Sequence, residues 1–198
     1  MANSRVYVHA SVAECFIAMF KQNLQSVRIG DPTNLDVNHG PRADETQFNS
    51  VERYIEMGKQ DGKLVLGGEE VPEHTKGYFI SPVIFTNTPE NAQIRKEEVF
   101  GPVVNINTFE TEADVVQNAN ATEFGLYAAV YTRDVSRAMR LDKAMEAGTV
   151  GINCTSPNGA FDLPFGGYKS SGIGREGIHH SLDNYLETKA VLLKLEEV

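Results

Sequence analysis

The chain alternates between two hydrophobic periods. Residues 5–9, Arg5-Val-Tyr-Val-His9, read as a short strand. Over residues 12–27, Val12, Phe16, Met19, Phe20 and Leu24 recur every three or four positions, which predicts an amphipathic helix. Gly30-Asp-Pro32 ends that unit, and residues 33–42 form a polar loop rich in turn formers. A second helix is expected over 44–60, with Phe48, Val51, Tyr54 and Ile55 on one face. A strand over 63–66 is closed by Gly67-Gly68, and 78–85 is extended, with Pro82 holding its neighbour in β-like angles. The pattern then predicts a strand over 103–109, a helix over 112–119, a strand over 128–131, a helix over 135–146 and a strand over 149–153. Residues 180–185 suit a short helix or turn, and 189–195 an apolar strand. Strands alternating with helices of this length predict an α/β architecture, a largely parallel sheet flanked by helices. The 198 residues show no repeat, low-complexity run or linker, so one domain is expected.

Composition narrows the functional classes. Hydrophobic residues make up 41% and charged residues 23%, as in an ordinary folded protein. A net charge of −9 disfavours non-specific nucleic-acid binding and docking on anionic membranes. No apolar run approaches the roughly 20 residues needed to span a bilayer. The N-terminus has no basic segment followed by an apolar one, so no secretory signal is expected. The two cysteines, Cys15 and Cys154, are far apart, which suits a reduced, cytoplasmic setting. None of the five histidines falls at a metal-ligand spacing, and no metal site is predicted.

Two motifs carry more information. Ile94-Arg-Lys-Glu-Glu-Val-Phe-Gly-Pro-Val-Val104 and Pro164-Phe-Gly-Gly-Tyr-Lys169 resemble the C-terminal catalytic region of aldehyde dehydrogenases. Ala2-Asn-Ser-Arg5, Gly30-Asp-Pro32, Gly40-Pro41, residues 120–129, Ala147-Gly-Thr-Val150 and Ile152-Asn153 follow in the family's order. The resemblance implies a catalytic domain of that type over 1–185, followed over 186–198 by a strand and tail through which family members associate. It also implies site residues. Glu98 matches a glutamate that hydrogen-bonds the nicotinamide ribose, and a carboxylate suits this because it can accept both hydroxyls of a diol. Phe100 matches an aromatic against that ribose and ring, and Gln47 a position near the adenosine ribose. Without the resemblance, Glu98 reads as a surface carboxylate paired with Lys96 or Arg95. Phe165 matches an aromatic of the substrate tunnel, while Asn153, Cys154, Thr155 and Phe161 match its mouth. Core packing is the plain alternative for Phe161 and Phe165. Gly151 stands where the family usually has a bulky aromatic, and a roomier cavity is expected from it.

The family's chemistry also requires a cysteine nucleophile, an asparagine that stabilises the oxyanion, a glutamate base and a dinucleotide-binding domain. In the family these lie at or before the nucleophile, and this chain opens where that nucleophile has just been passed. Gly166-Gly167 and Gly172-Ile-Gly174 do not follow a first strand, so they are not read as a Rossmann fingerprint. The expectation is no dehydrogenation by this chain alone and no cofactor, with NAD(P) bound only if the missing domain is supplied.

Three functions remain open. The first, which the sequence favours, is a repurposed cavity for non-redox work on a carbonyl-type small molecule: cyclisation, condensation or isomerisation. Glu98, and with it Cys154 as a substitute nucleophile, is the catalytic candidate there. The second is a C-terminal fragment of an NAD(P)-dependent aldehyde dehydrogenase that needs its other half. The third is an interaction protein that forms a homodimer or joins an aldehyde dehydrogenase relative through residues 186–195.

Overall fold

The computed structural model describes residues 3–69, 77–155 and 162–195. The chain divides into two compact units, one over residues 2–119 and one from Asn120 onward.

The first unit is built on a four-stranded sheet in the order β1-β4-β3-β2: β1 (Arg5–His9), β4 (Val103–Phe109), β3 (Val83–Thr86) and β2 (Lys63–Leu66). β1 runs parallel to β4 and β4 to β3, while β2 pairs antiparallel with β3. All four residues of β3 are buried, because the sheet is covered on both faces. Its side chains alternate accordingly. Val83 and Phe85 join one cluster with Val51, Ile55, Ile94 and Val103, and Ile84 joins another with Val8, Ala13 and Ile106.

The helices supply those two covers. α1 (Ala10–Gln25) follows β1 directly, with His9 as its N-cap accepting from the Ser11 N–H. Only Ala13 is fully buried on it. Ile17, Phe20 and Leu24 pack partly against the Ile84 cluster, whereas Val12, Phe16 and Met19 remain in solvent. α2 (Glu45–Asp61) is capped by Asp44, whose carboxylate accepts from the Gln47 N–H at 2.8 Å, and it buries Val51, Tyr54, Ile55 and Gly58. Gly58 is required there, since a β-carbon would lie 2.5 Å from the Phe85 ring.

Between β3 and β4 lies α3 (Gln93–Lys96), too short to show a period in the sequence. Its Arg95 is 5% exposed and faces the sheet: Nη2 donates to Tyr7 Oη at 2.7 Å and to the two Glu90 oxygens at 3.0 and 2.9 Å. The guanidinium also stacks 5.1 Å from the Tyr7 ring centre. Burial, acting against the charge of Arg95, raises the Tyr7 phenol above its usual pKa. α4 (Glu112–Asn120) follows β4.

The second unit contains the parallel pair β6 (Tyr127–Val130) and β7 (Thr149–Ile152), joined through α5 (Val135–Ala144). Asp134 caps α5 by accepting from the Arg137 N–H. A second pair, β5 (Phe124–Gly125) with β8 (Tyr168–Lys169), is antiparallel. Lys169 reaches back to the carbonyls of Asn120 and Thr122 at 2.8 and 3.1 Å and pairs with Glu146. Leu182–Asn184 is a 3₁₀ turn. The strand expected over 189–195 is not formed: the described residues after it pair with no strand, and Val191, Leu192, Leu193 and Leu195 are exposed. A strand takes its backbone hydrogen bonds from a neighbour, and this segment has none here. Among the described residues no helix is long and apolar enough to cross a membrane.

Two stability outcomes follow. Phe85→Ala empties a fully buried site and should lower unfolding free energy in urea by about 3–5 kcal/mol. His39 Nε2 lies 3.2 Å from the Ile80 carbonyl and 3.1 Å from Arg42 Nη2, and burial together with the Arg42 charge holds its pKa below the ordinary value. The unfolded chain therefore binds the proton more readily, so stability from this group is complete above the ordinary histidine pKa and is lost as pH falls through the folded value. His39→Gln should flatten the pH dependence of urea unfolding below neutrality; an unchanged slope would contradict this assignment.

Candidate functional site

Glu98 and Phe100 sit on a loop laid along α2, and Gln47 belongs to α2 itself. Gln47, Val51 and Tyr54 fall at helical positions i, i+4 and i+7, so they line one face. Each holds a different point of the segment 97–101. Tyr54 Oη donates to Glu97 Oε2 at 2.5 Å. Gln93 Nε2 from α3 donates to both Glu97 oxygens at 2.9 and 3.0 Å. The bond from Tyr54 and then those from Gln93 hold the Glu97 carboxyl below its usual pKa, and the same carboxylate raises that of Tyr54.

Further along, Val99 is buried, and Gln47 Nε2 donates to the carbonyls of Val99 and Phe100 at 3.2 and 3.0 Å. Gly101 lies against Val51, where a β-carbon would come within 2.7 Å of Cγ2. Pro102 then accepts from the Val83 N–H at 2.8 Å, which ties the loop to β3.

With 97, 99 and 101 turned to the helix, 98 and 100 face out. Phe100 takes a left-handed backbone conformation with φ of 54° and is 74% exposed. Glu98 is exposed and makes no hydrogen bond or ion pair among the described residues. The surface pairing that sequence alone offers for Glu98 does not form. Arg95 is buried and committed to Glu90, and Lys96 makes no bond to Glu98. Gln47 is brought to this loop, with its amide N–H group engaged by the backbone.

The substrate-side matches lie in the second unit. Asn153, with φ of 56°, uses its amide as a backbone mimic: Oδ1 accepts from the Thr132 N–H and Nδ2 donates to the Thr132 carbonyl, both at 2.9 Å. Cys154 is an exposed free thiol whose carbonyl accepts from Tyr127 Oη at 3.2 Å. Thr155 is exposed beside it. Phe165 is 38% exposed, and its backbone exchanges hydrogen bonds with Glu176 at 2.7 and 2.8 Å. Phe161 lies outside the described residues.

The roomier cavity expected from Gly151 is corrected. A β-carbon there would meet Tyr127 Oη at 2.2 Å and the Cys154 carbonyl at 2.5 Å, so the space is filled by a tyrosine from the neighbouring strand. A groove of about 580 Å³ lies beside Tyr131, Val135, Met139 and Ile152; Asn153 lines it, but Cys154 and Phe165 do not. Among the described residues no group of three metal-binding side chains comes together.

Sequence reasoning missed Tyr54 and Glu97 as parts of this site, and Tyr127 as the residue above Gly151. The spacing of Gln47, Val51 and Tyr54 was the available signal, but it reads equally as a core face.

Comparison with known proteins gives the family and the fold. Residues 1–191 match the aldehyde dehydrogenase family. An aldehyde dehydrogenase of Alternaria alternata is 43% identical over 198 residues, which is 100% of this chain and 39% of that protein. The mitochondrial aldehyde dehydrogenase of Equus caballus is 43% identical over 197 residues, 99% of this chain and 39% of its own length. Among solved structures, the indole-3-acetaldehyde dehydrogenase AldA of P. syringae, in complex with NAD+ and IAA, superposes with a TM-score of 0.93 at 37% identity. That match covers 98% of this chain and 39% of AldA. The NAD+ complex of a Bacillus cereus aldehyde dehydrogenase gives 0.92 at 37% identity, with the same coverage. The chain thus spans about 39% of the length of these relatives.

Both cysteines, Cys15 and Cys154, are exposed, so an aromatic disulfide reagent should titrate two thiols per native chain without denaturant. A Cys154→Ser chain should give one. A native value of one with the Cys154 thiol silent would contradict its placement at the surface.

Proposed function

The chain belongs to the aldehyde dehydrogenase family, and we propose that it is the C-terminal share of the catalytic domain of an NAD(P)-dependent aldehyde dehydrogenase, active only with the rest of that enzyme. Coverage of about 39% of each relative supports this reading over a repurposed, non-redox cavity, since every relative named above is an aldehyde dehydrogenase.

The observation that carries it is the outward pair Glu98 and Phe100 on a loop whose other residues are tied to α2. An uncommitted carboxylate fits a ribose diol, because its two oxygens can accept two hydroxyl protons. An exposed ring beside it gives an apolar face for the sugar and nicotinamide. NAD(P), when bound, supplies the hydride acceptor. Glu98 then fixes the ribose, Phe100 limits how the ring can slide, and Gln47 secures the backbone between them.

On the substrate side, Phe165 and the segment Asn153-Cys154-Thr155 are this chain's share of the tunnel wall. The nucleophile, the oxyanion donor, the base and the dinucleotide fold come from the rest of the enzyme. Residues 186–195, exposed and apolar, suit pairing with a neighbouring subunit's sheet.

Co-expression with the remainder of the Alternaria alternata enzyme tests the proposal. The combination should reduce NAD+ in the presence of an aldehyde, and neither part should do so alone. Loss of a hydrogen bond from a charged group costs about 1.5–3 kcal/mol, so Glu98→Gln should raise KM for NAD+ about tenfold or more. An inactive combination, with NAD-independent turnover of a carbonyl compound by this chain alone, would overturn it.

A further inference from the structure

We propose that Tyr54 is a positioning residue for the nicotinamide-ribose clasp, acting through Glu97 on a cofactor that it does not touch. The proposal rests on the reading of Glu98 and Phe100 as that clasp.

Two adjacent carboxylates, Glu97 and Glu98, have opposite fates. Both oxygens of Glu97 are occupied, Oε2 by Tyr54 and both by Gln93, while Glu98 has no partner among the described residues. The Glu97 backbone is extended, with φ of −101° and ψ of 155°, so the side chains of 97 and 98 project to different sides. Glu97, itself at the surface, lies against Tyr54 and Gln93, and a segment turned the other way would exchange the two carboxylates.

Tyr54 decides between these arrangements at one end of the loop. It sits two helical turns from Gln47, which holds the Val99 and Phe100 carbonyls at the other end. Between them Val51 is fully buried against Gly101. The middle of the loop is thus fixed by shape, whereas its approach from α3 depends on the Tyr54 hydroxyl together with Gln93.

The phenol suits this task. Its ring is buried among the α2 core residues, so it has little freedom to follow the loop, and its hydroxyl meets a carboxylate at 2.5 Å. Hydrogen bonds to ionised groups are roughly twice as strong as neutral ones. Tyr54→Phe keeps the packed ring and the Arg53 guanidinium stacked 5.2 Å from its centre, and removes the hydroxyl with its bonds to Glu97 and Arg53.

The experiment uses the enzyme reconstituted with the Alternaria alternata remainder, and reads KM for NAD+ and kcat separately. Tyr54→Phe should raise KM about five- to tenfold while kcat changes by less than about twofold, the pattern of lost uniform binding. Glu97→Gln should act in the same direction. The decisive reading is the double mutant. Glu98→Gln should cost much less in the Tyr54→Phe background than in the wild type, because a misplaced carboxylate has little left to lose. An unchanged KM in Tyr54→Phe, or an equal factor for Glu98→Gln in both backgrounds, would overturn the proposal.

If the wild-type combination does not oxidise aldehydes, the functional reading fails. The positioning claim is then read on this chain alone by amide hydrogen exchange. The Glu97 amide donates to the Gln93 carbonyl at 3.0 Å, and Tyr54→Phe should speed its exchange about tenfold while leaving the β3 and β4 amides unchanged. No change at the Glu97 amide, or faster exchange throughout the chain, would overturn it.

Discussion

One face of α2 governs the candidate site. Gln47, Val51 and Tyr54 hold three alternate points of the loop 97–101 by a carbonyl clamp, a packing contact and a phenol–carboxylate bond. Together with Gln93 of α3, this face accounts for the different partners of two adjacent glutamates. The helix that does this is itself fixed by burial of Val51 and Ile55 against β3, the strand buried at all four positions. The site therefore inherits its precision from the core rather than from its own loop.

That dependence carries a cost. Phe100 occupies the left-handed region, where a non-glycine residue stores roughly 1–3 kcal/mol of strain. Gln47 offsets part of this by bonding the Phe100 carbonyl, and Gly101 lets the backbone approach Val51 closely enough for the bond to form. Strain held in place by surrounding packing is common where a protein must present a side chain to a ligand. Arg95 contributes indirectly. By committing itself to Glu90 and Tyr7 it leaves the neighbouring surface without a buried cation that would draw Glu98 inward.

Much of the fold was legible in the pattern of apolar residues. β1, β2, α2 and β4 fall where alternation and helical spacing put them, because each buries a regular face. The extended run over 78–85 shrinks to Val83–Thr86, since Pro82 has no N–H to give to a ladder. α3 is about one helical turn, and β5 and β8 have two residues each, too few to show a helix or strand period. The site was legible in part. Glu98 and Phe100 were singled out through the family motif and lie exposed on the loop, but Tyr54 looked like a core residue because its ring is one, and only its hydroxyl does other work. Gly151 was misread because the side chain that fills its space, Tyr127, comes from an adjacent strand, and cross-strand compensation of that kind is invisible along a single segment.

Glu98, left uncommitted by the loop that α2 holds, is expected to meet a nucleotide ribose. A crystal structure of the chain assembled with the remainder of a relative and soaked with NAD+ tests it most directly. The expected result is a Glu98 carboxylate oxygen within about 2.5–3.0 Å of a nicotinamide-ribose hydroxyl, with the Tyr54–Glu97 bond intact beside it. A ribose bound elsewhere, or Glu98 turned away to pair with Lys96, would contradict it.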